Sequence, residues 1–202
     1  LLKHIRQETY SPKWRQTVRS LYTHIQNEPP SNDVISLKFL NFMKENRLVI
    51  QRLVDRAEQL CYSIKKQSTK FVLCHSDIHG GNVLLRGSST IFIVDWDEPI
   101  MAPKERDLMF IGGGVANVWN DPREEISFYK GYGSSDINIS ILSYYRHERI
   151  VEDIAEYGQS LLLTKPDNVH KNRSEMYRQF VSMFDSHGVV DIAFKTDKAS
   201  FL

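Results

Sequence analysis

Residues 71–85 read FVLCHSDIHGGNVLL, an apolar run that breaks into a dense polar cluster and then turns apolar again. His75, Asp77, His79 and Asn82 fall in that cluster, and Asp95 follows it after VLLRGSSTIFIV. His75, Asp77 and His79 alternate, so on an extended strand they would share a face and could approach a zinc ion. Such a site needs further ligands, and the other five histidines stand without a ligand pattern nearby. A second chemistry uses the oxygen side chains instead. Moving a phosphoryl group onto an alcohol needs a carboxylate to take and orient the hydroxyl proton, and magnesium to neutralise the phosphates. In kinase-type sites an aspartate and an asparagine stand four residues apart on one loop, and another aspartate follows a short hairpin. Asp77 and Asn82 have that separation, Asp95 has that place, and His75 precedes Asp77 by two. Gly80 and Gly81 let the loop turn tightly. The plain alternative, polar turn residues flanking a hairpin, leaves the match of three residue types and their spacing to chance.

The elements that would hold these residues can be read by period. Ser11-Pro12 is a helix start, and Trp14, Val18, Leu21, Tyr22 and Ile25 follow at helical spacing until Pro29-Pro30. A second helical stretch is predicted from Asp33 to about Gln67, with Leu53, Ala57, Leu60 and Ile64 on one stripe and room for a break near Asn46. FVLC (71–74) is a short buried strand. VLL and IFIV form a hairpin across RGSST. ERDLMFIGGG reads as a short helix ended by glycines. Asp121-Pro122 with Glu124 starts another helix, which stops at GYG. Further helices are expected over Ile139–Leu163, with Ile150, Ile154, Tyr157 and Leu161 as its stripe, and over Ser174–Asp185. The expected fold class is α+β and mainly α: one helical body with a small β-hairpin at the polar loop.

Bulk properties narrow the setting. A chain of 202 residues with 41% hydrophobic and 25% charged residues is ordinary globular usage. Net charge of +1 gives no footprint for nucleic acid or an anionic membrane. Two cysteines, Cys61 and Cys74, form no disulfide framework, which favours a reducing, cytoplasmic location. No apolar run approaches the ~18 residues of a membrane span, and the start does not read as a signal peptide.

The cluster carries two resemblances. Asp77-x-His79-Gly80 resembles the opening block of calcineurin-like metallophosphoesterases, but the Gly-Asp-x-x-Asp and Gly-Asn-His blocks that family needs are not found downstream. HSDIHGGNVLL, IFIVDWDEP and ERDLMF together resemble the aminoglycoside phosphotransferase and choline kinase-like family, which has a protein-kinase-like fold. Ser76 stands where that family usually has glycine, and VDW replaces IDW. WDEPIMAPKERDLMFIGGG and YYRHERIVEDIAEYG look most like the spectinomycin-type members. The resemblance implies that Asp77 is the catalytic carboxylate and that His75 braces its loop. It implies that Asn82 and Asp95 bind magnesium on the nucleotide phosphates, and that Asp107 anchors the loop by accepting backbone hydrogen bonds. The cofactors implied are Mg2+ and ATP or GTP.

Other residues are read more freely. Asp97 and Glu98 could line a pocket for a cationic acceptor, and Trp119 or Tyr132 could wall a sugar or cyclitol ring. Glu148, Glu152, Asp153 and Glu156, with Arg146 and Arg149 among them, read as a solvated, salt-bridged helix face. All 10 glycines lie at or after Gly80, so the first 79 residues hold no glycine-rich phosphate loop, and no strand there presents a Val-Ala-Ile-Lys lysine. Residues 1–202 are therefore expected to be a single carboxyl-terminal catalytic lobe, whose intramolecular partner, the small nucleotide-clamping lobe, lies outside the chain. The expected activity is transfer of the γ-phosphate of a nucleoside triphosphate to a hydroxyl of an aminoglycoside or aminocyclitol. A kinase of choline, homoserine or a sugar is the next reading, and a non-catalytic lobe that binds a partner is the third.

Overall fold

The computed structural model describes residues 4–27, 33–87, 90–115, 121–133, 136–164 and 172–199. Helices α1 (Lys13–Asn27), α2 (Val34–Glu45) and α3 (Arg47–Ile64) precede strand β2 (Val72–Cys74), with a two-residue strand β1 (Arg6–Gln7) ahead of them. The break between α2 and α3 falls at Asn46, whose backbone leaves the helical region at φ −96° and ψ 14°. The hairpin β3 (Val83–Arg86) and β4 (Thr90–Ile93) follows, in register from Val83 opposite Ile93 to Arg86 opposite Thr90. Strand β5 (Ile100–Ala102) then lies between β1 and β2, parallel to the first and antiparallel to the second. The three-residue β5 and two-residue β1 are too short to show a period in the sequence.

The second half is helical. The short helix expected over ERDLMFIGGG is a single turn, α4 (Glu105–Leu108), which ends before the glycines. Helix α5 (Pro122–Tyr132) is capped by Asp121, which accepts from Arg123 N, and ends at Gly133 with φ 75°. Helix α6 (Ile139–Gly158) carries straight into a π-turn at Gln159–Leu163. After α7 (Arg173–Ser182) comes a helix the sequence reading missed, α8 (Val189–Ala199). Its stripe of Val189, Val190, Ala193 and Phe194 packs on the main core.

α6 is the axis of the molecule: α1, α3 and α8 all pack on it. One buried cluster joins Val18, Phe39, Met43, Leu53, Ala57, Ile150, Ile154 and Phe180. A second gathers Tyr10, Leu60, Ile64, Phe110, Tyr144 and Tyr145 beneath the polar loop. Both cysteines are buried and free. The hairpin differs from the rest. Leu84, Leu85, Ile91, Phe92 and Ile93 are all exposed, so neither face of this two-stranded sheet is covered by the described residues.

One ion pair inside the core ties α1 to α6. Arg15 donates to Glu148 and to the carbonyl of Ser11, and the side chains of Arg15 and Glu148 are 3% and 8% exposed. Burial pushes the Glu148 carboxyl up to about 7, against the pull of Arg15. A carboxyl raised on folding adds stability that is full below its unfolded value and is lost as the pH rises through about 7. Removing one partner of such a pair leaves a buried charge without compensation, which typically costs about 3–5 kcal/mol. Arg15→Met is therefore expected to cost about that much near pH 8 and clearly less near pH 5.5, where Glu148 takes a proton. Urea unfolding of both proteins at the two pH values checks this; an equal loss at both would contradict it.

Candidate active site

Strand β2 delivers the chain to the polar loop and ends at Cys74. The next two backbone N–H groups have no strand partner. His75 N donates to Asp107 Oδ2 at 2.9 Å and Ser76 N donates to Asp107 Oδ1 at 2.8 Å. Burial pushes the Asp107 carboxyl up, while these two amide hydrogen bonds pull it back down. Ser76 has φ 74°, the left-handed region that favours glycine. Its hydroxyl donates to the carbonyl of Glu98 at 2.8 Å, a contact glycine could not make.

The His75 ring is buried and used at both nitrogens. Nε2 donates to Val94 O at 2.8 Å, and Nδ1 accepts from Asp77 N at 3.3 Å. The ring packs edge-on against Trp96, with centroids 4.6 Å apart. His79 caps the short turn Gly80–Asn82 by accepting from Gly81 N at 3.0 Å. Asn82 closes the loop: its Nδ2 donates to Asp77 O at 2.9 Å, and its carbonyl accepts from Val94 N at 3.1 Å. That last bond places Asn82 beside the residue preceding Asp95. Asp95 itself has φ 66°, a strained backbone for a residue with a Cβ.

Asp77, Asp95, Asp97 and Glu98 are brought together on a cleft of about 790 Å3. Glu148, Glu152 and Glu156 of α6 line its other side. This corrects the reading of a solvated helix face. Glu148 is buried against Arg15, and Glu152 and Asp153 are half-buried. Burial raises the Glu152 carboxyl and pushes that of Asp153 up to about 7, with Arg149 opposing both. Arg149, Arg6 and Lys13 join the lining, with Arg6 paired to Glu98 at 3.0 Å and Arg149 to Asp77 at 3.2 Å. Arg149 was missed because an arginine four residues before Asp153 reads as an ordinary surface pair; only the fold shows what it faces. Trp119 lies outside the described residues. Tyr132 lies on α5, stacked on Phe128 with centroids 5.5 Å apart, and does not line the cleft. No group of three or more His, Cys, Asp or Glu side chains among the described residues is arranged to hold a metal ion.

A mainly helical body that presents a strand, a polar loop and a hairpin in this order is the larger lobe of a protein-kinase-like fold. Spectinomycin phosphotransferase APH(9)-Ia, solved with ADP and spectinomycin, is 54% identical and aligns with a TM-score of 0.87, over 97% of this chain and 59% of that one. The AMP-bound form of the same enzyme is 53% identical with a TM-score of 0.85, over 96% and 59%. An ethanolamine kinase of Plasmodium vivax aligns at 17% identity and a TM-score of 0.45, over 96% of this chain and 50% of that one. No protein-family model and no curated protein matches the chain. The chain belongs to the aminoglycoside phosphotransferase and choline kinase-like family, as its carboxyl-terminal lobe. It spans 59% of the length of the two spectinomycin phosphotransferase structures.

Ser76 gives the loop a direct test. Left-handed backbone costs a residue with a Cβ about 1–2 kcal/mol relative to glycine, and the hydroxyl bond to Glu98 returns about 1 kcal/mol. Ser76→Ala keeps the strain and loses the bond, so it is expected to be less stable than Ser76→Gly by about 1–2 kcal/mol. Denaturant unfolding of both variants measures the difference, and an alanine variant as stable as the glycine one would contradict it.

Proposed function

We propose that this chain is the catalytic lobe of a phosphotransferase that moves the γ-phosphate of a nucleoside triphosphate onto a hydroxyl of an aminocyclitol such as spectinomycin. The observation that carries the reading is the cleft: a loop-borne carboxylate, Asp77, beside Asp95 and opposite the acidic wall of α6. An aminocyclitol is cationic near neutral pH, and a cleft bearing this many carboxylates favours such a guest. Likeness to an enzyme solved with ADP and spectinomycin supports the same assignment.

The residues fit the chemistry. Asp77 accepts the proton of the acceptor hydroxyl as that oxygen bonds to phosphorus and the bond from phosphorus to the departing diphosphate breaks. Asn82 and Asp95 fit magnesium: both offer hard oxygen donors, and magnesium commonly takes only one or two protein ligands alongside phosphate oxygens. The Asn82 side-chain nitrogen is committed to Asp77 O, which leaves its oxygen for a ligand. Magnesium, when bound, neutralises charge on the phosphates. His75 and Asp107 act through the backbone: one ties Asp77 to the residue before Asp95, the other fixes where the loop begins. Asp97 and Glu98 serve the acceptor side of the cleft. The apolar hairpin fits a nucleotide lying against it.

In the protein that carries both lobes, Asp77→Asn is expected to lower turnover by about 10²–10⁴ while leaving nucleotide binding and thermal stability close to wild type. A coupled assay for diphosphate release, with spectinomycin as acceptor, reads the rate. Near wild-type turnover in the variant would remove Asp77 from the role given to it.

A further inference from the structure

Helix α6 reaches the catalytic loop with one side chain. Arg149 Nη1 donates to Asp77 Oδ1 at 3.2 Å. At its other edge Nε lies 3.2 Å from Asp153 Oδ1, one turn further along the helix, a charge contact without hydrogen-bond geometry. The guanidinium also lies over the ring of Phe110, 5.9 Å from its centroid, so groups on three segments fix its plane. Arg149 lines both the cleft and a second cavity of about 430 Å3, which Asp153 also lines. The arginine is thus a strut in the wall between two spaces.

We propose that Arg149 is a positioning residue for phosphoryl transfer: it holds the Asp77 carboxylate by Oδ1 so that Oδ2 meets the acceptor hydroxyl, and Asp153 holds Arg149 in place. This rests on Asp77 being the carboxylate that takes the hydroxyl proton. The backbone of Asp77 is fixed by His75 and Asn82, but neither reaches its carboxylate. Left alone, that carboxylate would turn about two side-chain bonds, and a misplacement of about 1 Å at a reacting group can cost 10²-fold in rate. Among the described residues Arg149 donates to it, while His79 Nε2 lies 3.6 Å from Oδ2, beyond hydrogen-bond reach. A guanidinium suits the task because it is planar, permanently charged and able to bind on two edges at once, which an ammonium cannot do. A simple counter-ion for Asp77 would need no second partner, and here the Asp153 carboxylate stands 3.2 Å from the Arg149 Nε.

The test uses the protein with both lobes and reads kcat and KM separately. Arg149→Met is expected to lower kcat by about 10²-fold while KM for nucleotide and acceptor changes less than about threefold. Arg149→Lys, which keeps the charge and loses the fork, should restore only part of that loss. Asp153→Asn should lower kcat in the same direction by a smaller factor, and it carries the test if Arg149→Met does not fold. Unchanged kcat in a folded Arg149→Met or Asp153→Asn protein overturns the proposal, as does full recovery by lysine, which would make charge alone sufficient. Asp77→Asn in the same assay separates the two claims. If it turns over like wild type, Asp77 is not the base and Arg149 has nothing to position. If it is inactive while Arg149→Met is not, the positioning claim alone falls.

Discussion

Where strand β2 ends, two adjacent backbone N–H groups, those of His75 and Ser76, lose the ladder that would have paired them, and the carboxylate of Asp107 takes both. An unpaired buried amide costs about as much as a lost hydrogen bond, so this contact decides where the chain can turn. It turns at once, through a left-handed Ser76, and the polar loop springs from that corner. The His75 ring passes the constraint on to Asp77 N and Val94 O, and Asn82 passes it from Asp77 O to Val94 N. Asp77 and Asp95, separated by a hairpin in sequence, are held in one frame by these four hydrogen bonds, and the two that Asp107 accepts tie that frame to α4.

The cleft gathers carboxylates that repel one another, and burial adds to the cost of keeping them charged. The fold offsets this with cations from separate segments. Arg15 of α1 meets Glu148, Arg6 of β1 meets Glu98, and Arg149 bridges Asp77 and Asp153. The offset is incomplete at Glu148, whose carboxyl burial raises against the pull of Arg15. A cationic guest would supply the balance, which joins the electrostatics of the cleft to the chemistry of its proposed acceptor.

Much of this was legible in the sequence, for identifiable reasons. Long helices such as α1, α3 and α6 carry enough turns for their apolar stripes to show. The loop from His75 to Asn82 declares itself by residue type and spacing, which chemistry restricts more tightly than packing does. β1 and β5 were not legible, because two or three residues carry no period and pair only across long stretches of chain. α8 was passed over although Val189, Val190, Ala193 and Phe194 spell its face, since the preceding glycine reads as an end. The acidic side of α6 was misjudged for a deeper reason. Whether Glu148, Glu152 and Arg149 face water or a cleft depends on α1 and the polar loop, both far away in sequence.

The central claim is that the acidic cleft at Asp77 receives a cationic, hydroxyl-bearing acceptor. Its most direct measurement is titration of this 202-residue chain with spectinomycin, followed through backbone amide resonances. The account predicts saturable shifts concentrated at residues 75–77, 95–98 and 148–156, and weakened by added salt as the attraction is screened. Shifts confined to other surfaces, with those three stretches silent at saturation, would contradict it.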